Sequence, residues 1–107
     1  MEEEKRKEYA YIQRKEYAYI LCIGGKIKES IAVHWWSTEQ EMKETTADMW
    51  AAARLFKKTA SVLAYEREQG YAHRWRYVFS HQHFNWYTPT RIMILDDGSI
   101  LTENEFV

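Results

Sequence analysis

A single cysteine, Cys22, among 107 residues excludes an internal disulfide framework. One proline and four glycines supply no Pro-rich or Gly/Ser-rich linker, so residues 1–107 read as one domain, with 1–13 as an extended arm or strand overhang. Neither sign of charge dominates: 15 basic and 16 acidic side chains leave a net charge of −1. That balance argues against a strongly basic nucleic-acid binder and against an acidic DNA mimic. No apolar run approaches the roughly 18 residues of a membrane span, and the opening "MEEEKRK" leads into no signal-type apolar stretch. The expectation is a cytoplasmic protein without a membrane partner. The chain also lacks HExxH, a cysteine pair and a glycine-flanked serine elbow, so no enzyme and no cofactor are expected.

Aromatic side chains are what the chain has in quantity: five Trp, eight Tyr and four Phe. They carry large apolar area on stiff side chains and serve cores, interfaces and stacking surfaces alike. Several fall in a repeat, "RKEYAYIQRKEYAYI", whose copies are eight residues apart. An even shift along a strand returns each side chain to the same face, whereas on a helix it rotates the second copy by about 80°. Alternating tyrosines also favour the strand. The repeat therefore reads as a strand extension rather than a duplicated active site.

The second copy enters a hairpin, "YAYILCIGGKIKESIAVHWW". A two-residue Gly24-Gly25 turn opposes Ile23 with Lys26 and mismatches the apolar faces. A three-residue loop, Gly24 to Lys26, opposes Ile23 with Ile27, Tyr19 with Ile31 and Tyr17 with Val33, and is the expected form. This register sends Trp35 toward the core and Trp36 away from it. It also leaves the first copy, with Tyr9 and Tyr11, without a mate from the adjoining strand, to fray, to pair with a third strand of the same sheet or to offer an edge to another molecule.

"STEQEMKETTADMWAAARLFKKTASVLAYEREQG" predicts a helix capped by Ser37 or Thr38 and stopped by Gly70. Met42, Met49, Phe56 and Leu63 form its stripe, with Thr46, Ala53 and Ala60 between them. Unbroken, it would have roughly 33 residues and span about 50 Å, more than a typical strand can cover. A break near Thr45-Thr46, or cover from another subunit, is the expected resolution.

In "YAHRWRYVFSHQHFNWY", alternation puts Tyr71, His73, Trp75, Tyr77, Phe79, His81 and His83 on one face. Arg74, Arg76, Ser80 and Gln82 take the other. "RIMIL" resumes after Pro89, Asp97-Gly98 signals a two-residue hairpin, and "SILTENEF" returns. The fold class is α+β: an antiparallel sheet of four to five strands, order ββαβββ, with one long helix packed on one face.

His73, His81 and His83 share a face at a spacing that can hold zinc, but no cysteine pair or carboxylate accompanies them, so no metal site is expected. Arg74 and Arg76 interleave with Trp75 and Tyr77 as on a nucleic-acid surface, yet alternation sends cations and rings to opposite faces. Nucleic-acid or nucleotide binding and His-based metal binding are the alternatives. The expected function is a small non-enzymatic module that occludes or scaffolds a protein partner and self-associates, as a dimer. Tyr9, Tyr11, Trp36, Trp86 and Tyr87 would anchor the partner and Arg74 and Arg76 would orient it. Small inhibitors made by mobile elements share this profile in size and lack of motifs.

Overall fold

A computed structural model describes residues 15–67, 74–81 and 86–106. The leading repeat copy with Tyr9 and Tyr11, together with Tyr71, His73, Gln82 and His83, lies outside them. Six strands, β1 (Lys15–Ile23), β2 (Lys26–Trp36), β3 (Ala60–Arg67), β4 (Arg74–Ser80), β5 (Arg91–Ile94) and β6 (Ile100–Thr102), form one antiparallel sheet. Helix α1 (Glu39–Phe56) follows β2, and a short helix α2 (Glu103–Phe106) ends the described chain. The strand order is β2-β1-β3-β4-β5-β6. The α+β class, the antiparallel sheet and one main helix on one face agree with the sequence reading; the order ββαβββ gives way to ββαββββ.

The added strand is β3, which occupies the second half of the expected helix. Thr38 caps α1 as the sequence indicated, its Oγ1 accepting from the Glu41 N–H at 3.2 Å, and Glu39 pairs with Lys43 at 3.5 Å. Met42, Thr46, Met49 and Ala53 then recur on the inward face, with no break at Thr45-Thr46. At Lys57 the backbone becomes extended, and the Lys57 N–H still closes on the Ala53 carbonyl at 3.0 Å. Beyond it, Ala60–Glu66 is buried on both faces. A central strand of that kind presents a continuous apolar run, which periodicity alone does not separate from a buried helix.

The first hairpin also differs from its expected form. Gly24 (φ +59°) and Gly25 (φ +79°) make the turn by themselves, opposing Ile23 with Lys26. Two consecutive left-handed residues are the requirement of a type I′ turn, which glycine meets and lysine does not. Two irregularities leave Lys28 and Ile31 without opposite numbers on β1; as single-residue shifts they cancel, so beyond Ile31 the strand keeps the faces set by the two-residue turn. Tyr19 then meets Ala32, Tyr17 meets His34 and Lys15 meets Trp36. Trp36 accordingly turns inward and Trp35 is 51% exposed, the reverse of the expectation. The last hairpin is also not of the two-residue form. Asp96–Gly98 make a three-residue turn, closed by the Leu95 N–H on the Ser99 carbonyl at 2.8 Å, with Gly98 at φ +88°.

Both faces of β1 and β3 are covered. Under α1, Tyr17, Tyr19, Val62 and Ala64 pack on Met42. On the opposite face, Ala18, Ile20, Cys22, Leu63, Tyr65, Trp75 and Ile92 form a second cluster. Ile27 of β2 and Ile100 of β6, strands at opposite edges, both pack on this cluster, so the sheet curls around it. A third irregularity, between Ala64 and Tyr65, moves Phe79 to the helix side while Trp75 and Tyr77 stay on the curled side. The single aromatic face expected for β4 is thereby split.

Candidate functional site

Of the two outermost strands, β2 is the longer, with 11 residues against 3 in β6. Among the described residues, no strand pairs with its outer side. The two halves of β2 differ. Near the turn, Lys26, Lys28 and Glu29 are exposed and both register irregularities fall at Lys28 and Ile31, features that twist and charge an edge against pairing. From Ala32 to Trp36 the register with β1 is unbroken, and "AVHWW" contains no formal charge, proline or glycine.

The side chains of this second half divide by parity. His34 and Trp36 lie on the helix side, their rings stacked at 5.4 Å, and His34 also lies 5.9 Å from Tyr19. Trp36 Nε1 donates to the Tyr19 hydroxyl at 2.8 Å, which donates to the Met42 carbonyl at 3.4 Å. That chain ties the outer strand to α1 through a tyrosine with no exposed surface. Burial raises the Tyr19 hydroxyl above its ordinary pKa. On the other side, Val33 (48% exposed) and Trp35 (51%) stand opposite Ala18 and Glu16, beyond the part of the face that the curl covers.

The other sequence-selected residues do not converge on this edge. Arg74 and Arg76 are on β4, separated from β2 by β1 and β3. Arg74 is exposed, whereas the Arg76 guanidinium pairs with the buried Glu66, which Lys15 also reaches at 3.4 Å. A matching pair joins Arg67 to buried Glu16, and the Arg67 guanidinium lies 4.9 Å from the Trp75 ring centre. Cross-strand register places Glu16 opposite Arg67 and Glu66 opposite Arg76, so these carboxylates are matched inside the sheet. Burial, followed by the charges of Glu66 and Glu39, raises the neighbouring Tyr17 hydroxyl.

Trp86 and Tyr87 precede β5 and point apart. Trp86 packs on the curled-face cluster, close enough that a Cβ at Gly25 would lie 3.3 Å from its Cβ and Cγ. Tyr87 is 62% exposed and donates to the Glu103 carboxylate, which raises the tyrosine and lowers the glutamate. Between β2 and the β5–β6 hairpin lies a cleft of about 590 Å³, with Lys26, Glu29, Trp86, Tyr87 and Glu105 among its walls. Of the three histidines weighed as an alternative metal set only His81 is described; it is exposed and its ring lies 4.5 Å from that of Trp50. No group of three metal-ligating side chains occurs among the described residues. Val33 and Trp35 were missed as a pair because the turn is one residue shorter than expected, which inverts the face assignment, and two single-residue irregularities together leave that inversion in place. Compared with known proteins, the chain matches no family model, no curated protein and no solved structure.

Proposed function

We propose that the protein is a non-enzymatic binding module that adds an extended segment of a protein partner to the outer side of β2. The observation that carries this reading is the contrast within one strand. Its turn-proximal half has the lysines and irregularities that discourage pairing, and its distal half, Ala32–Trp36, has neither. Main-chain hydrogen bonds along such an edge supply affinity, and alternate side-chain contacts supply selectivity. Val33 and Trp35 are the anchors on one face of the added strand, and Trp36, held by Tyr19, gives a fixed aromatic wall on the other. The partner is occluded or scaffolded without chemical change.

The test is affinity purification from the native host with the wild-type chain and with Val33→Lys/Trp35→Lys, followed by identification of what stays bound. Both side chains are half exposed, so the variant is expected to fold. A protein retained by the wild type and released by the variant supports the reading. Identical retained sets from the two chains would remove the edge as the functional surface.

A further inference from the structure

We infer that a partner of this edge is a second copy of the same chain, paired antiparallel through Ala32–Trp36 about a two-fold axis at His34; the inference rests on the edge reading above. Closed dimers are isologous, so the same patch must complement itself. A register centred on His34 meets that demand. It sets Val33 opposite Trp35 of the second copy, and Trp35 opposite the second copy's Val33. Trp36 and Ala32 are opposed in the same way, a large ring against a methyl group.

Aromatic against β-branched is among the favourable cross-strand pairings, and here it occurs twice on one face. Val33 and Trp35, the two exposed large hydrophobics of β2, thereby share one continuous contact. No charged side chain lies within the paired segment, so no like charges are brought face to face. Centres nearer the turn would run through Lys28 and Ile31, where the strand is irregular.

The helices leave room for this arrangement. The main helix packs chiefly on β3, two strands inward of β2, with lesser contact to β1 and to β2 itself. Two copies joined edge to edge would form a continuous sheet with both helices on one side. Five residue pairs make a small interface, so exchange between monomer and dimer is expected within ordinary working concentrations.

Three variants read out the register in the purified full chain, without any other protein. His34→Cys places a thiol opposite its own counterpart and is expected to form a disulfide-linked dimer under mild oxidation. Ala32→Cys places the two thiols several residues apart and is expected to stay monomeric. Cys22, 1% exposed, takes no part in either. Val33→Lys/Trp35→Lys opposes like charges twice and is expected to weaken the dimer about tenfold or more by sedimentation, whereas Val33→Lys/Trp35→Glu opposes unlike charges and retains it. A wild-type chain that remains monomeric up to about 1 mM, or cross-linking at Ala32 in preference to His34, overturns the proposal. If the monomeric chain still captures a host protein that the double-lysine variant releases, the edge reading stands and the second copy is not its partner.

Discussion

Cys22 belongs to the curled-face cluster with 1% of its surface exposed, and burial pushes its thiol up to about 12. In the unfolded chain the same thiol ionises near pH 8.5. Below that pH both states hold the proton and the thiol does not make stability depend on pH. As pH rises from about 9 toward 12, the unfolded state loses a proton that the folded state keeps, and stability falls, by at most about 1.4 kcal/mol per unit from this group. Tyr17, Tyr19 and Tyr65, all raised by burial, act in the same direction above about pH 10. Urea unfolding of the wild type and of Cys22→Ala between neutral pH and pH 11 is expected to give a steeper alkaline decline for the wild type. Parallel profiles would show that the thiol titrates alike in both states. At this scale the sequence placed Cys22 on a strand beside the turn but did not foresee its burial, since alternation assumed one covered face and β1 is covered on both. It misled about the tryptophan pair, since which of Trp35 and Trp36 faces inward follows from a turn of two residues rather than the expected three.

The two hairpins and the helix each turn on where left-handed backbone or a double-faced strand is needed. Gly24 and Gly25 both have positive φ, but a Cβ at Gly24 would meet nothing within 4 Å, while one at Gly25 would press on Trp86. Gly24→Ala is therefore expected to cost only the conformational penalty of about 1–2 kcal/mol. Gly25→Ala adds displacement of a ring that packs on the curled-face cluster, so its melting temperature should fall further. Equal losses in the two variants would mean that Trp86 gives way without consequence. The glycine pair was legible as a turn; its length was not, because face matching assumed that Val33 and Trp35 are buried, whereas both are half exposed. The same limit applies to α1. Its cap and Met42–Met49 stripe were both visible, yet Phe56, next in the stripe, is 83% exposed and Leu63 belongs to β3. Apolar spacing continued across a change of element because β3 buries both parities.

The position of β3 also decides which strand is an edge, and this is a property of the whole chain. By docking antiparallel to β1, from Glu16–Arg67 to Ile23–Ala60, it makes the first strand central and leaves β2 outermost. Nothing within residues 14–36 specifies that choice, so a sequence reading could see that an edge exists without locating it on Ala32–Trp36. The same topology sets a gradient of local stability. β1 and β3 are paired on both sides and lie between two apolar clusters, one of which, under α1, includes no residue of β5, β6 or α2. The β5–β6 hairpin is joined through three residue pairs and continues into the four-residue α2. It can open while the helix-side core stays intact, so native-state hydrogen exchange should find the amides of 17–22 and 61–66 slowest and those of 100–106 fastest. Uniform protection across both groups would show that the curled face opens only with global unfolding, and the cleft between β2 and the hairpin would then be a fixed feature rather than one that widens locally.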